Sequence, residues 1–288
     1  MSKSTRALIV SLAILLAVAG APAGLPARAS GPRGIWEVQA APTTLTVFAA
    51  ASLKEVFSAL APRFAHDHAD ASGPAKIVFN FGGSDTLVTQ LAQGTSADVF
   101  ASANTTQMQL AQRKGLIASR PVIFARNRLV VIVPAANPGK VSALPDLGRP
   151  GLRLVLAAPS VPVGKYARAA FAAMARNTAV FGSGFLARVG KNVVSNELDV
   201  KAVLSKVVLG EADAGIVYVT DVTANVAPRL GTIAIPRPYN QTATYPIAIV
   251  KGGQNLMLAQ QFIAFVLSST GRDTLRRDNF IVPGTYAP

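Results

Sequence analysis

The sequence contains no cysteine among its 288 residues. This absence excludes disulfide bonds, zinc–thiolate and iron–sulfur sites, a cysteine nucleophile and a lipid anchor attached to cysteine. Histidine is almost as scarce, since His66 and His68 are the only two in the chain. Two residues apart on a helix they face different sides, so they support neither a metal pair nor a Ser-His-Asp triad. We therefore expect a protein that is not an enzyme.

Charged residues make up only 15% of the chain, and there are 14 acidic residues against 28 basic ones. Three basic residues fall within residues 1–29, so the remainder carries 25 basic against 14 acidic residues, a net charge of +11. The basic residues are scattered, apart from the pair Arg276 and Arg277, which argues against a nucleic-acid partner. A diffuse positive field suits the capture of a small anion. Adaptation to an anionic cell envelope is the alternative explanation of this charge.

Only one long apolar run occurs, and it lies near the N-terminus. Lys3 and Arg6 precede an almost wholly apolar stretch over residues 7–19, and small-x-small cleavage patterns follow it. Because the stretch is short for a membrane span, this pattern is typical of a secretory signal peptide. We expect residues 1–29 to be removed by cleavage after Ala29, with an uncleaved anchor as the alternative. The mature protein is then expected to be soluble and extracytoplasmic, or periplasmic.

The remaining chain alternates strand patterns with helix patterns. Residues 30–43 have no periodicity and are predicted to form a linker, after which the alternation occurs twice and ends with one more strand and helix. This order is typical of an α/β fold in which helices cover mostly parallel sheets. Two lobes with a cleft between them explain the number of elements better than one open sheet. Lobe 1 is predicted at residues 44–124 and 237–288, and lobe 2 at residues 125–236.

The spacing of apolar residues places the individual elements. Strands are predicted at 45–50, 77–81, 98–101, 129–134, 152–157, 214–219, 232–235 and 245–250. Helices are predicted at 52–65, 84–93, 105–114, 164–175, 198–210 and 255–268. The chain would cross from lobe 1 to lobe 2 and back, so the two crossings would form a hinge.

Two predicted strands end in small residues followed by a serine at the start of a helix. The segment FAAAS places Ser52 in this way, and the segment FGGS does the same for Ser84. A helix N-terminus has free N–H groups and the positive end of the helix dipole, so it receives anions. Each serine taken alone is better explained as a helix cap. Two such turns in one chain favour an anion-binding site.

Three segments in the second half of the chain supply further candidate contacts. The loop PSVPVGKYA at 159–167 presents unpaired amides at a helix start, including that of Val163. Asp199 is a suitable N-cap, which makes Val200 the first helical residue. A buried strand carries Tyr218 near its C-terminal end, where ligands lie in open α/β sheets. Core packing is the more common role for such a tyrosine, and it stays open here.

Six segments in register along residues 44–286 resemble the periplasmic molybdate-binding proteins of ABC transporters. They are VFAAASL at 47–53, FGGSDTL at 81–87, ADVFASA at 97–103, PSVPVGKYA at 159–167, ELDVKAVL at 197–204 and ADAGIVYVTDV at 212–222. Any one of these segments is a weak indication, whereas six in order are specific. The sequence departs from the family pattern at Val163, where alanine is frequent, and at Gly82 and Gly83, where some members have a hydroxyl residue.

The resemblance implies a type II periplasmic-binding-protein fold, in which each lobe is a mixed sheet flanked by helices and the ligand lies in the interlobe cleft. It implies an oxyanion held without direct ligands to its metal atom and without a cofactor. The implied contacts are the hydroxyl and amide groups of Ser52 and Ser84, the amides of Val163 and Val200, and the hydroxyl of Tyr218.

The implied function is high-affinity binding of molybdate or tungstate and its delivery, by a monomer, to the membrane permease of an ABC transporter. Another tetrahedral oxyanion such as sulfate is the main alternative, because it has the same charge and number of oxygens. A hydrolase or transferase with Ser52 or Ser84 as nucleophile lacks a visible base. A sensor or adhesion module would keep the fold and change the partner.

Overall fold

The computed structural model describes residues 44–69 and 73–284, and the predicted signal peptide and linker lie outside the described residues. These described ranges contain ten strands, in chain order: β1 (Thr44–Ala50), β2 (Lys76–Gly82), β3 (Val99–Ala101), β4 (Val122–Asn127), β5 (Leu129–Pro134), β6 (Leu154–Ala157), β7 (Val193–Glu197), β8 (Ala214–Tyr218), β9 (Leu230–Ala234) and β10 (Ala243–Ile249). Within the described ranges, no helix combines the length and the hydropathy needed to cross a membrane.

The strands form two five-stranded sheets with the same topology. The first sheet has the order β2-β1-β3-β10-β4, and the second has the order β7-β6-β8-β5-β9. In the first, β1 pairs in parallel with β2 and β3, while β10 runs antiparallel to β3 and β4. In the second, β6 pairs in parallel with β7 and β8, while β5 runs antiparallel to β8 and β9. Both sheets are therefore mixed, as predicted.

Helices pack against both sheets. They are α1 (Lys54–Asp67), α2 (Ser84–Ala92), α3 (Thr105–Arg113), α4 (Pro162–Ala175), α5 (Thr178–Phe181), α6 (Phe185–Asn192), α7 (Val200–Val208), α8 (Leu256–Leu267) and α9 (Ser269–Arg277). Beside the first sheet, the ring of Phe262 in α8 meets the rings of Phe57 and Phe64 in α1 edge-on, at centroid distances of 5.5 and 5.3 Å. Such edge-to-face pairs add to the burial of apolar area that fixes α1 and α8 on the sheet.

The chain passes between the sheets twice. It leaves the first sheet after Asn127 and enters the second at Leu129, and it returns between Ala234 and Ala243. The side chain of Asn240 links the two crossings, because its Oδ1 accepts the Leu129 N–H at 2.9 Å and its Nδ2 donates to the Leu129 carbonyl at 2.9 Å. The predicted boundary between residues 124 and 125 falls inside β4, and the division into two lobes stays a prediction.

The eight predicted strands and the six predicted helices are all found, with ends that differ by a few residues. The first predicted helix begins with a 3-10 turn at Ala51–Leu53 before α1. The patterns do not predict β4, β7, α5, α6 or α9, which the structure adds. The predicted α/β class is confirmed.

Candidate functional site

A small cavity lies where the C-terminal ends of strands from both sheets face each other. Its lining includes Ser52, Ser84, Val163, Val200 and Tyr218, so the structure brings together all five predicted contact residues. The rest of the lining is Ala50, Ala51, Gly82, Gly83, Ala103, Val161, Pro162 and Asp199. The role of the five residues in binding stays a prediction.

Ser52 lies in the 3-10 turn after β1 and is buried, with 3% of its surface exposed. Its Oγ is 2.9 Å from the hydroxyl of Tyr245, which in turn lies 3.4 Å from Nδ2 of Asn127. An amide nitrogen can only donate, so the Tyr245 oxygen accepts from Asn127 and its O–H can donate to Ser52. This direction leaves the Ser52 hydroxyl hydrogen free to donate into the cavity.

Ser84 is the first residue of α2 and is 1% exposed. Its Oγ accepts the backbone N–H of Ala103 at 3.0 Å. Because a hydroxyl has one hydrogen, that hydrogen then remains available for the cavity. Both serines are thus held by the protein as acceptors and can act as donors toward a ligand.

Tyr218 is the last residue of β8, and its side chain is buried. Its ring meets that of Tyr245 edge-on at a centroid distance of 5.9 Å, while its hydroxyl has no hydrogen-bond partner among the described residues. Burial, reinforced by the neighbouring Tyr245, raises the pKa of Tyr218 well above its ordinary value, so the phenol stays protonated. A buried hydroxyl without a partner is costly. A ligand that accepts its hydrogen would remove that cost.

Two helix starts from the second sheet present backbone amides to the cavity. At α4 the first bond within the helix runs from the Lys165 N–H to the Val161 carbonyl at 2.9 Å, so the amides of Val163 and Gly164 precede it. At α7 the Asp199 carboxylate accepts the N–H groups of Lys201 and Ala202 at 2.8 and 3.0 Å. The amide of Val200 is therefore the one that the cap leaves without a partner inside the helix.

The glycine at position 164 is required for this arrangement. A Cβ atom at Gly164 would lie 2.1 Å from the Ala158 carbonyl oxygen and 2.3 Å from that of Ala157. The start of α4 is thus seated directly against the end of β6, which brings its free amides to the cavity.

The lining of the cavity contains no lysine or arginine. Positive potential comes instead from the starts of α1, α2, α4 and α7, where unpaired N–H groups and helix dipoles converge. The one charged residue in the lining is Asp199, whose carboxylate faces the amides of its own helix. The site is therefore built from hydrogen-bond donors and suits an anion without a counter-cation.

The cavity has two walls, one formed by the strand ends and helix starts of the first sheet and one by those of the second sheet. These two walls touch each other. The Gly83 backbone lies so close to the Leu198 carbonyl that a Cβ at position 83 would be 2.4 Å from that oxygen. Side-chain bonds also cross the cleft, among them Gln107 Nε2 to the Ser160 carbonyl at 3.1 Å, Lys165 Nζ to Thr106 Oγ1 at 3.2 Å, and Lys201 Nζ to Glu55 Oε2 at 2.7 Å. The structure is closed around the cavity.

Sequence reasoning missed the residues behind the lining. Tyr245 and Asn127 orient Ser52 from strands β10 and β4, and no local motif marks either of them. Lys201 directly follows the predicted contact Val200, and this adjacency is the one feature of the sequence that could have indicated a role for it. The roles of Tyr245 and Asn127 can be identified only from the tertiary structure.

The two histidines lie away from the cavity at the end of α1. His68 Nδ1 is 2.9 Å from the Phe64 carbonyl oxygen, and the His66 side chain is 89% exposed. Over residues 44–69 and 73–284, no three His, Cys, Asp or Glu side chains are grouped as a metal site would need.

The sequence and the fold match known proteins. The family model described as bacterial extracellular solute-binding protein matches residues 45–281. The molybdate-binding protein ModA of Mycobacterium bovis is 39% identical over 278 residues, which cover 96% of this chain and 98% of that protein.

Two solved structures share the fold. The periplasmic molybdate-binding protein of Azotobacter vinelandii has a TM-score of 0.69 at 19% identity, over 83% of this chain and 99% of that chain. The sulfate-binding protein SubI from Mycobacterium tuberculosis H37Rv has a TM-score of 0.72 at 18% identity, over 84% of this chain and 88% of that chain. Because proteins named for different oxyanions share this fold, the fold alone does not select the anion.

Proposed function

The chain belongs to the bacterial extracellular solute-binding proteins, and from this membership we propose that it binds molybdate or tungstate outside the cytoplasm and delivers it to the membrane permease of an ABC transporter. One observation carries the proposal: hydroxyl and amide donors from several helix starts, together with the Tyr218 hydroxyl, converge on the cavity. The 39% identity to a molybdate-binding protein over almost the whole chain supports the choice of anion. The proposal assigns no catalytic step and no cofactor, since molybdate is the ligand.

The proposed contacts are strong enough for high affinity. Ser52 and Ser84 each offer a hydroxyl and an amide, Val163 and Val200 each offer an amide, and Tyr218 offers a hydroxyl. A hydrogen bond to a charged group contributes about 1.5–3 kcal/mol. About seven such bonds exceed the roughly 8 kcal/mol that a micromolar dissociation constant requires, which leaves a margin for the entropy lost on binding.

A cavity of donors selects against protonated oxyanions. Hydrogen phosphate carries a hydroxyl that needs an acceptor, whereas molybdate, tungstate and sulfate at neutral pH do not. The one carboxylate in the lining, that of Asp199, already accepts two backbone N–H groups through its Oδ1. Burying the phosphate hydroxyl without a partner would cost about 1–3 kcal/mol. Sulfate is distinguished from molybdate by size alone, and it is the second candidate because a sulfate-binding protein shares the fold.

Titration calorimetry of the mature protein, residues 30–288, against molybdate, tungstate, sulfate and phosphate tests the proposal. We expect dissociation constants in the micromolar range or below for molybdate and tungstate, weaker binding of sulfate, and no heat with phosphate. Heat with sulfate and none with molybdate would establish the alternative ligand.

In this proposal, residues 1–29 direct export and are removed, and the mature chain acts as a monomer. Mass spectrometry of the exported protein tests the cleavage after Ala29, and light scattering after size exclusion tests the monomer. A mass that retains residues 1–29 would mean that the chain stays anchored.

A further inference from the structure

A partly buried ionic cluster lies beside the cavity and is absent from its lining. Lys201 is the second residue of α7, directly after Val200. Its Nζ lies 2.7 Å from Oε2 of Glu55 and 2.8 Å from Oδ1 of Asp221. The Asp221 side chain is fully buried, and those of Lys201 and Glu55 are 20% and 41% exposed.

The three charged residues come from different parts of the site. Glu55 is in the first turn of α1, three residues after Ser52, and belongs to the wall built on the first sheet. Lys201 and Asp221 belong to the opposite wall, where Oδ2 of Asp221 accepts the Tyr218 N–H at 3.0 Å. One ammonium group therefore connects the turn that carries Ser52, the helix start that carries Val200 and the strand end that carries Tyr218.

Lys201 is held in its charged form. Burial alone would lower the pKa of Lys201, but the carboxylates of Asp221 and Glu55 outweigh this effect and raise it. The ion pair with Asp221 lies within one wall, so it does not depend on contact between the walls. The bond to Glu55 crosses the cleft and exists only while the walls touch.

We propose that Glu55 and Lys201 are positioning residues that hold the two helix starts together over the bound anion and so set how long it stays bound. The inference rests on the proposed function. A bond that is made only in the closed form stabilises that form alone, so it slows the opening that releases the ligand. Neither residue contacts the anion in this proposal.

Simple electrostatics predicts the opposite effect for Glu55. Its carboxylate is close to a site for a dianion, so removal of its charge by itself would strengthen binding. Loss of the cross-cleft bond would weaken binding. The sign of the change therefore separates a positioning role from a mere field effect.

The test compares Glu55→Gln with the wild type by stopped-flow release and calorimetry, with molybdate and sulfate as probes. Glu55 is chosen because removal of Lys201 would leave Asp221 buried without its partner and could unfold the chain. We expect release of the anion to be about three- to tenfold faster in Glu55→Gln, with a similar loss of affinity. The melting temperature of the anion-free protein should not change, since the bond is absent from the open form.

Asp273→Asn is the matched control, because it removes one carboxylate from the exposed pair of Asp273 with Arg276 inside α9. It changes the net charge equally and leaves the cleft untouched, so its release rate should match the wild type. Equal or tighter binding by Glu55→Gln would overturn the positioning role, as would a fall in the anion-free melting temperature. Wild-type protein that binds sulfate and not molybdate would contradict the proposed ligand, while the comparison of variants with sulfate would still decide the positioning role.

Discussion

At the scale of single residues, the unpartnered hydroxyl of Tyr218 leads to the most specific prediction about anion binding. Tyr218→Phe keeps the ring and its contact with Tyr245 and removes only the group that faces the cavity. We expect molybdate affinity to fall by about 1–2 kcal/mol, or roughly 5- to 30-fold, because one charge-assisted hydrogen bond is lost. The anion-free protein should not lose stability, since the hydroxyl has no partner in the described structure to give up.

Tyr239→Phe is the control for the loss of a phenol elsewhere. The Tyr239 hydroxyl accepts from Asn177 Nδ2 at 2.8 Å, away from the cavity lining. This variant should lose about 1 kcal/mol of stability and keep its molybdate affinity. An unchanged affinity in Tyr218→Phe would remove Tyr218 from the set of contacts.

A second residue-scale prediction concerns acid. Hydrogen bonds from Arg153 hold the pKa of Asp213 below its ordinary value, with Oδ1 at 2.7 Å from Nη2 and Oδ2 at 2.8 Å from the backbone N–H. A carboxyl with a lowered pKa in the folded state contributes stability above its unfolded pKa of about 3.9, and this is lost as the pH falls through the folded value.

We therefore expect Asp213→Asn to reduce the free energy of unfolding by about 1.5–3 kcal/mol at pH 7. The difference from the wild type should shrink as the pH falls below about 4, because the unfolded chain then takes up a proton at this carboxyl before the folded protein does. Urea unfolding followed at pH 7 and at pH 3 measures this, and a constant difference at both values would contradict the assigned pKa direction.

The residue scale is also where sequence reasoning was most limited. Ser52 and Ser84 could be predicted because each stands directly after a strand and before a helix. The partner that orients Ser52 could not, because Tyr245 is 193 residues away in sequence and approaches it through β10. Hydrogen bonds between distant strands leave no local periodicity from which to infer them.

At the scale of elements, Gly83 lets the start of α2 touch the opposite wall. Its φ of −59° is open to any residue, so the backbone conformation does not require glycine. The Leu198 carbonyl, which would be 2.4 Å from a Cβ, imposes the requirement. Because Leu198 precedes α7 across the cleft, this backbone clash would arise only when the walls close. The other close atom, Asp85 Oδ1 at 2.8 Å, is the end of a side chain and can shift at little cost.

Gly83→Ala should therefore fold normally and fail to close. We expect molybdate affinity to fall by at least tenfold, about 1.4 kcal/mol, while the anion-free melting temperature is kept. Gly190→Ala provides the comparison, since Gly190 is an exposed position of α6 and an added Cβ there meets nothing within 4 Å, so the helix should gain about 0.5–1 kcal/mol. Calorimetry that finds wild-type affinity in Gly83→Ala would show that closure does not need this contact.

The elements that sequence patterns missed have a common physical cause. β4 and β7 are edge strands that contain exposed positions and polar side chains such as Arg126 and Asn196, so they lack the buried apolar run that marks β1 or β5. Helix α9 carries Gly271 and mostly polar residues and follows α8 with only Ser268 between them. In each case tertiary pairing overrides a weak local preference.

At the scale of the whole molecule, the alternation of strand and helix patterns in the sequence predicts the two-sheet architecture. The same patterns do not identify the anion. Repeated strand–serine–helix turns predict an anion site on physical grounds, whereas the choice of Val163, Val200 and Tyr218 needed the family resemblance. The cross-cleft pair of Glu55 and Lys201, 146 residues apart, needed the structure.

The position of β10 has a consequence for the order in which the molecule assembles. β10 lies between β3 and β4, although about 115 residues, including the whole second sheet, separate it from β4 in the chain. The second sheet is built from one continuous stretch, so it can form as soon as that stretch is available. The first sheet stays divided until the last strand arrives, because closing so long a loop is entropically slow.

In refolding, the second sheet, which comes from the middle of the chain, should therefore form before the first sheet is complete. In pulsed hydrogen exchange, the Ile216 amide in β8 should gain protection before the Val250 amide, which donates to the Asp98 carbonyl beside β3. Simultaneous protection would contradict this order. A nascent chain would then carry an incomplete first sheet until its synthesis is nearly over.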